Sequence, residues 1–257
     1  NKDFIMSKVI VFSADAMVED DLEYFKTLPN YKKYLAGGSE IKKVKSIYPT
    51  ITYPVHTSIA TGTYPDKHGV PGNYVFKVGE KNLPWLWFND VVKIPDIFTT
   101  AKKSGYTTAA VFWPVTGNHK DIDYLIDEYW TQGKNDNLHD AFARSGSNSE
   151  VLKIVDRNLH LIEGKERQHP FADNFVVACA CDMIEQFRPD LLMIHPANID
   201  GYRHRYGMFN KFVDEGIRET DKWLGMLAES AIRAGTFDDT NFFLVSDHGQ
   251  MEIKRCI

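Results

Sequence analysis

Cysteine is scarce in this chain of 257 residues: only Cys179, Cys181 and Cys256 are present. An odd count, with a Cys-x-Cys pair too closely spaced for an easy bridge, argues against a disulfide framework. It points instead to a reducing compartment, read here as the cytoplasm. No hydrophobic run approaches the length that spans a bilayer, so no membrane partner is expected. Excess positive charge is also missing. The formal net charge of −5 provides no basic field for nucleic acid. Internal repeats, low-complexity tracts, a clear linker and a recognisable secretory leader are all absent. What remains has the size and composition of a single globular domain over residues 1–257.

Short apolar runs alternate with helical patterns. KVIVFSA (8–14), TTAAVFW (107–113), DYLIDEYW (123–130), DLLMIHP (190–196) and NFFLVSDHG (241–249) read as strands, most of them buried. DDLEYFKTL (20–28), NYKKYLAGG (30–38), VHTSIATG (55–62), residues 170–187 and residues 208–235 read as helices, several closed by glycine. The polar stretch 131–150 reads as a surface excursion, and KKVK (42–45) as a solvated strand or edge. Strand–helix alternation predicts an α/β fold: a mostly parallel sheet with helices on both faces. The chain stops soon after its last strand, with no helix to cover it, which suggests an incomplete C-terminus.

In parallel sheets, ligands bind beyond the carboxyl ends of the strands. Asp15 follows the first run. Asp200 and His204 follow DLLMIHP, and Asp247 and His248 follow NFFLVS. Carboxylates and imidazoles are ordinary ligands of zinc and similar ions. Taken singly, Asp15 and Asp200 read equally well as helix caps, His204 as a surface residue, and Asp247-His248-Gly249 as a turn. Together they would repel one another at one sheet edge unless cations neutralised them. Thr52 lies just before a helix start marked by Pro54, where free amides and the helix dipole favour an anion such as phosphate. Its hydroxyl is a poor nucleophile until it loses its proton or meets a metal. The alternative reading is a plain N-cap.

Several segments together resemble the nucleotide pyrophosphatase/phosphodiesterase branch of the alkaline phosphatase superfamily. They are FSADAM (12–17), PTITYP (49–54), ATGTYPDKHGVPGN (60–73), FWP (112–114), RPDLLMIHPANIDGYRHRYG (188–207) and SDHGQM (246–251). The resemblance implies an alkaline-phosphatase-like fold and two divalent metal ions, most commonly zinc. It implies Asp15, Thr52, Asp247 and His248 around one ion and Asp200 and His204 on the other, with Thr52 as the nucleophile that is transiently phosphorylated. It also implies that Asn73 hydrogen-bonds the phosphate and that Tyr53 stacks on a nucleobase. The family's second metal takes a further histidine downstream of the Asp-His pair, which this chain does not reach.

The expected activity is hydrolysis of phosphodiester or pyrophosphate bonds in a small nucleotide-like substrate. A phosphomonoesterase or phosphonate hydrolase is the alternative within the same chemistry, for which Arg203 or Arg205 would supply the extra charge. A non-catalytic phosphate- or nucleotide-binding protein is the alternative outside it. Cys179 and Cys181 read as small buried thiols, His56 and His68 as structural, and His119, His139, His160 and His169 as exposed. Trp85 and Trp87 read either as pocket lining or as a packed surface loop.

Overall fold

The computed structural model describes residues 7–252. Five strands form the sheet: β1 (Lys8–Ser13), β2 (Thr108–Val111), β3 (Tyr124–Ile126), β4 (Leu191–Ile194) and β5 (Thr240–Val245). Their order is β3-β2-β4-β1-β5, and every pairing is parallel. β4 is central, and β1 lies inside the sheet between β4 and β5; both are apolar on both faces, which only a covered strand can satisfy. The register of β1 sets Phe12 beside Ile194 and Leu244, and Ser13 beside Val245. The expectation that β5 is buried fails. It forms one edge of the sheet and leaves Phe243 52% exposed, because no further element covers it among the described residues.

Nine α-helices surround the sheet among the described residues: α1 (Glu19–Phe25), α2 (Thr52–Thr61), α3 (Pro65–His68), α4 (Ile97–Lys103), α5 (Leu138–Arg144), α6 (Ser149–Asn158), α7 (Phe171–Phe187), α8 (Asn198–Tyr206) and α9 (Lys211–Arg233). Side-chain oxygens cap the starts of four of them: Asp96 at α4, Asn137 at α5, Asn148 at α6 and Asn210 at α9. α2 stops at Gly62, whose φ of 67° is a left-handed turn that costs glycine little.

One sheet face carries Ile10, Phe12, Val111, Leu192 and Ile194 against α5, α6, α7 and α9. The other carries Val11, Ala110 and Met193 against α2 and α4, through Ile59, Phe98 and Ala101. Period-2 alternation along each strand divides the apolar residues between the two layers.

Three local expectations are corrected. Residues 131–150 are not a plain excursion, since they contain α5 and the start of α6. Leu138, Ala141 and Phe142, spaced one helical turn apart, bury themselves among polar neighbours. KKVK is solvent-exposed, but it forms no strand, and Lys43 has φ 58°. The helix expected over 30–38 is a π-helical turn at Tyr31–Leu35.

Phe175 is fully buried and stacks on Phe142 with ring centroids 5.6 Å apart. Phe175→Ala should lower unfolding free energy by about 3–5 kcal/mol, measured by urea denaturation, with the change confined to the midpoint rather than the slope.

Candidate active site

The carboxyl ends of β1, β4 and β5 open into a cavity of ≈ 550 Å³. Asp15 leaves β1 and is 3% exposed. The next residue, Ala16, turns left-handed at φ 57°, a conformation that costs a non-glycine residue roughly 1 kcal/mol or more. Both its backbone polar groups are held: its N–H donates to Asp247 Oδ1 at 3.1 Å, and its carbonyl accepts from Arg203. The β1–β5 pairing thus brings Asp15 and Asp247 to one point.

His248 completes the convergence. Its Nδ1 faces the Gly249 carbonyl at 3.1 Å, which assigns the proton to that nitrogen. Nε2 then turns a lone pair toward Asp15 Oδ1 at 3.4 Å and Asp247 Oδ2 at 3.3 Å. Neither carboxylate oxygen has a hydrogen-bond partner among the described residues, and both are buried. Two buried carboxylates gathered at one imidazole repel each other, and desolvation sharpens this. Burial, followed by the charges of Asp247 and Asp200, drives the Asp15 carboxyl well above its ordinary range. A divalent cation resolves the arrangement, so the residues fit one. Asp15, Asp200 and His248 offer ligand atoms within 4.8 Å of one another, a trio that crosses the two ligand sets implied by the resemblance.

Thr52 is the first residue of α2, two residues ahead of the start suggested by Pro54. Its Oγ1 lies 3.3 Å from His248 Nε2. His56, one turn along, holds the helix end in place: its Nδ1 donates to the Thr52 carbonyl at 2.8 Å, and its Nε2 accepts from Ser13 Oγ at 2.9 Å. Burial lowers the His56 pKa, which keeps the ring neutral in this role. Asn73 reaches the same helix end, its Oδ1 accepting from the Tyr53 N–H at 2.9 Å.

α8 brings the remaining candidates. Asp200 lines the cavity and receives a hydrogen bond from Gln250. His204 Nε2 lies 3.4 Å from Asp200 Oδ1, with its side chain 73% exposed. Arg203, between them, does not supply phosphate-binding charge, which corrects the role considered for it above. It is buried, and its guanidinium grips Asp21 at 2.7 and 2.8 Å. Arg205 is exposed and lies outside the cavity lining.

Tyr53 is also placed differently from the stacking role. Its ring is 1% exposed and packs 5.3 Å from Trp85, and its hydroxyl donates to Glu128 at 3.2 Å. The exposed aromatic in the lining is Tyr74, 51% exposed, with its ring 4.6 Å from Trp85. Of the histidines expected to be exposed, His119 is buried against Asp96 at 2.9 Å, and His169 lines the cavity.

Four participants escaped the sequence reading. His195 ends β4 and donates from Nε2 to Asp15 Oδ2 at 3.0 Å, fixing the carboxylate's orientation. Burial, then the nearby His56, holds its pKa well below the ordinary value. The signal was available, because His195 sits at a strand's carboxyl end just as the chosen aspartates do. Glu128, His169 and Arg167 come from segments whose approach to the cavity only the fold dictates. Burial pushes the Glu128 carboxyl up to about 7, despite the Tyr53 hydrogen bond and the Arg167 charge.

A parallel sheet that gathers carboxylates, imidazoles and a helix-terminal hydroxyl at its carboxyl edge defines an α/β fold with a candidate cation site. Residues 9–257 match the family described as type I phosphodiesterase / nucleotide pyrophosphatase, and the chain belongs to that family. Its relatives include venom phosphodiesterases 2 and 1 of Crotalus adamanteus, each 30% identical over 98% of this chain. Ectonucleotide pyrophosphatase/phosphodiesterase family member 3 of Bos taurus is 26% identical over 96% of it. The chain spans 28%, 26% and 25% of those proteins' lengths, about a quarter of each. Murine ectonucleotide pyrophosphatase/phosphodiesterase 5, solved as an inactive threonine-to-alanine variant with AMP, shares the fold. Its TM-score is 0.63 at 20% identity, covering 95% of this chain and 57% of that one.

These relatives overturn the cytoplasmic reading, because they are venom and ecto-enzymes. The cysteine count carried no compartment information: Cys179 and Cys181 are buried thiols within α7, where they serve as small core residues. Cys256 lies outside the described residues. No helix among the described residues is long and apolar enough to cross a membrane.

Arg203→Met leaves the buried Asp21 carboxylate unpaired and should cost about 3–5 kcal/mol at neutral pH, read by chemical denaturation. Burial already raises the Asp21 pKa against the opposing pull of Val18 and Arg203. Losing Arg203 raises it further, so the variant's deficit should shrink as pH falls and Asp21 takes up a proton. A deficit that does not change with pH would show that the pair contributes packing rather than charge.

Proposed function

We propose that the protein hydrolyses phosphodiester or pyrophosphate bonds of nucleotide-like substrates through a phospho-threonine at Thr52. The observation that carries this reading is the position of Thr52 Oγ1: at the N-terminus of α2, 3.3 Å from His248 Nε2, beside two buried carboxylate oxygens without partners. Asp15, Asp247, His248 and Thr52 would hold one divalent ion, and Asp200 and His204 a second, zinc suiting this donor set. Bound cations would lower the hydroxyl pKa and offset phosphoryl charge.

The chain's own groups do the remaining work. The α2 N-terminus favours the phosphoryl anion. Asn73 spends its Oδ1 on Tyr53, which leaves its amide donors for a phosphoryl oxygen. His195 keeps Asp15 oriented. Thr52 Oγ attacks phosphorus opposite the leaving ester oxygen, and water later displaces Thr52 from the phosphothreonine. Tyr74, Trp85 and Trp130 give the second ester group an apolar wall, which supports diesters over monoesters. The murine relative was solved with AMP, which supports a nucleotide-like substrate.

Thr52→Ala should lower bis(p-nitrophenyl) phosphate turnover by at least about 10³-fold, while zinc binding, followed by calorimetry, stays within a few-fold of the parent. Near-normal turnover would rule out the covalent route. Faster parent turnover of p-nitrophenyl phosphate than of the diester would transfer the reading to monoesters, with Arg167 as the charge.

A further inference from the structure

His169 has no part in the chemistry above, yet it lines the same cavity as Thr52 and Asp200. Its Nδ1 donates to Asp173 Oδ2 at 2.7 Å. Asp173 is 2% exposed, and its other oxygen accepts from the Ala197 N–H at 2.7 Å, so the carboxylate cannot rotate away. This anchor fixes the imidazole's tautomer and plane, as an orienting carboxylate does for a catalytic histidine.

The opposite ring nitrogen is the free end. Nε2 has no hydrogen-bond partner among the described residues and lies against Gly201, next to Asp200. A Cβ built on Gly201 would come within 2.3 Å of the ring carbon and 2.7 Å of Nε2. Glycine here is what allows the ring to lie on α8 facing the cavity. The groups bearing on it are Asp173 from α7, Asp200 from α8 and Glu128 from the segment after β3. Burial opposes the charged ring, but Asp173, with Asp200 and Glu128 behind it, outweighs that and raises its pKa.

We propose that His169, oriented by Asp173, is the general acid that protonates the leaving oxygen when Thr52 is phosphorylated. This rests on the phospho-threonine hydrolysis proposed above. Thr52 enters as its alkoxide, having released its proton to solvent. Its Oγ forms a bond to phosphorus as the bond to the leaving ester oxygen breaks. That oxygen takes the Nε2 proton and departs as an alcohol, which leaves His169 neutral with its Nδ1–H still on Asp173. In the second half, water attacks the phosphothreonine and gives one proton to Nε2. The P–Oγ bond breaks, Thr52 returns as the alkoxide, and the phosphate monoester product carries the remaining hydroxyl. Protons and charge balance over the cycle.

The test compares two esters of thymidine 5′-monophosphate with the zinc-loaded protein. The p-nitrophenyl ester expels a stable phenolate that needs no proton, whereas the methyl ester expels an alkoxide that does. His169→Gln should lose about 10²–10⁴-fold in kcat on the methyl ester but less than about tenfold on the p-nitrophenyl ester. Its calorimetric zinc affinity should be unchanged. Asp173→Asn, which removes the orienting charge, should show the same selective loss to a smaller degree. Gly201→Ala, which displaces the ring without altering it, should also follow this pattern. Equal losses on both esters would overturn the acid role in favour of a structural one. A matching fall in zinc affinity would overturn it in favour of a ligand role. A parent protein that cleaves neither ester would overturn the hydrolase reading and this inference with it.

Discussion

Asp15 and Asp247 are brought together by the register of two adjacent parallel strands, out of water, around a single imidazole nitrogen. Two carboxylates in such a place cannot both ionise without compensation. The fold supplies the geometry but not the compensating charge: the backbone N–H of Ala16 and that of His248 both go to Asp247 Oδ1, and the inward-facing Oδ2 is left bare. The residues of this site fit a cation, whose charge would offset the two carboxylates.

The surrounding shell reads as a set of constraints on that site. His195 and His56 are neutral rings held neutral by burial, and each fixes one neighbour through a directed hydrogen bond. Arg203 works from the outside. It ties the left-handed turn after Asp15 to the helix that carries Asp200 and His204, so the two groups of candidate ligands cannot drift apart. Its burial with Asp21 accounts for a charge that would otherwise look misplaced one residue from His204.

The cavity lining is of two kinds. Acidic and imidazole groups collect at the strand ends, while Tyr74, Trp85 and Trp130 add aromatic surface to the lining, with Arg167 near the last two rings. Under the function proposed above, the strand-end groups would take the phosphoryl group and the aromatic rings a flat apolar one. Glu128 and the His169–Asp173 pair also line the cavity, polar groups held by partners.

By itself the sequence determined the alternating architecture, the buried β1, β2 and β4, and the placement of Asp15 and Asp247 just past strand ends; Asp200 sits further on, in the first turn of α8. Each of these follows from local pattern: apolar run length, helical period and the residue after the run. It could not show that β5 is an edge strand, because its apolar run reads the same whether or not a neighbour covers it. α5 was hidden for the opposite reason, its three buried residues being too few to stand out among polar ones. Tertiary structure alone decided that Tyr53 is enclosed, that Arg203 is committed to Asp21, and that His169 faces the cavity. A side chain's exposure and partners depend on what packs against it from distant segments, and a one-dimensional pattern does not record this.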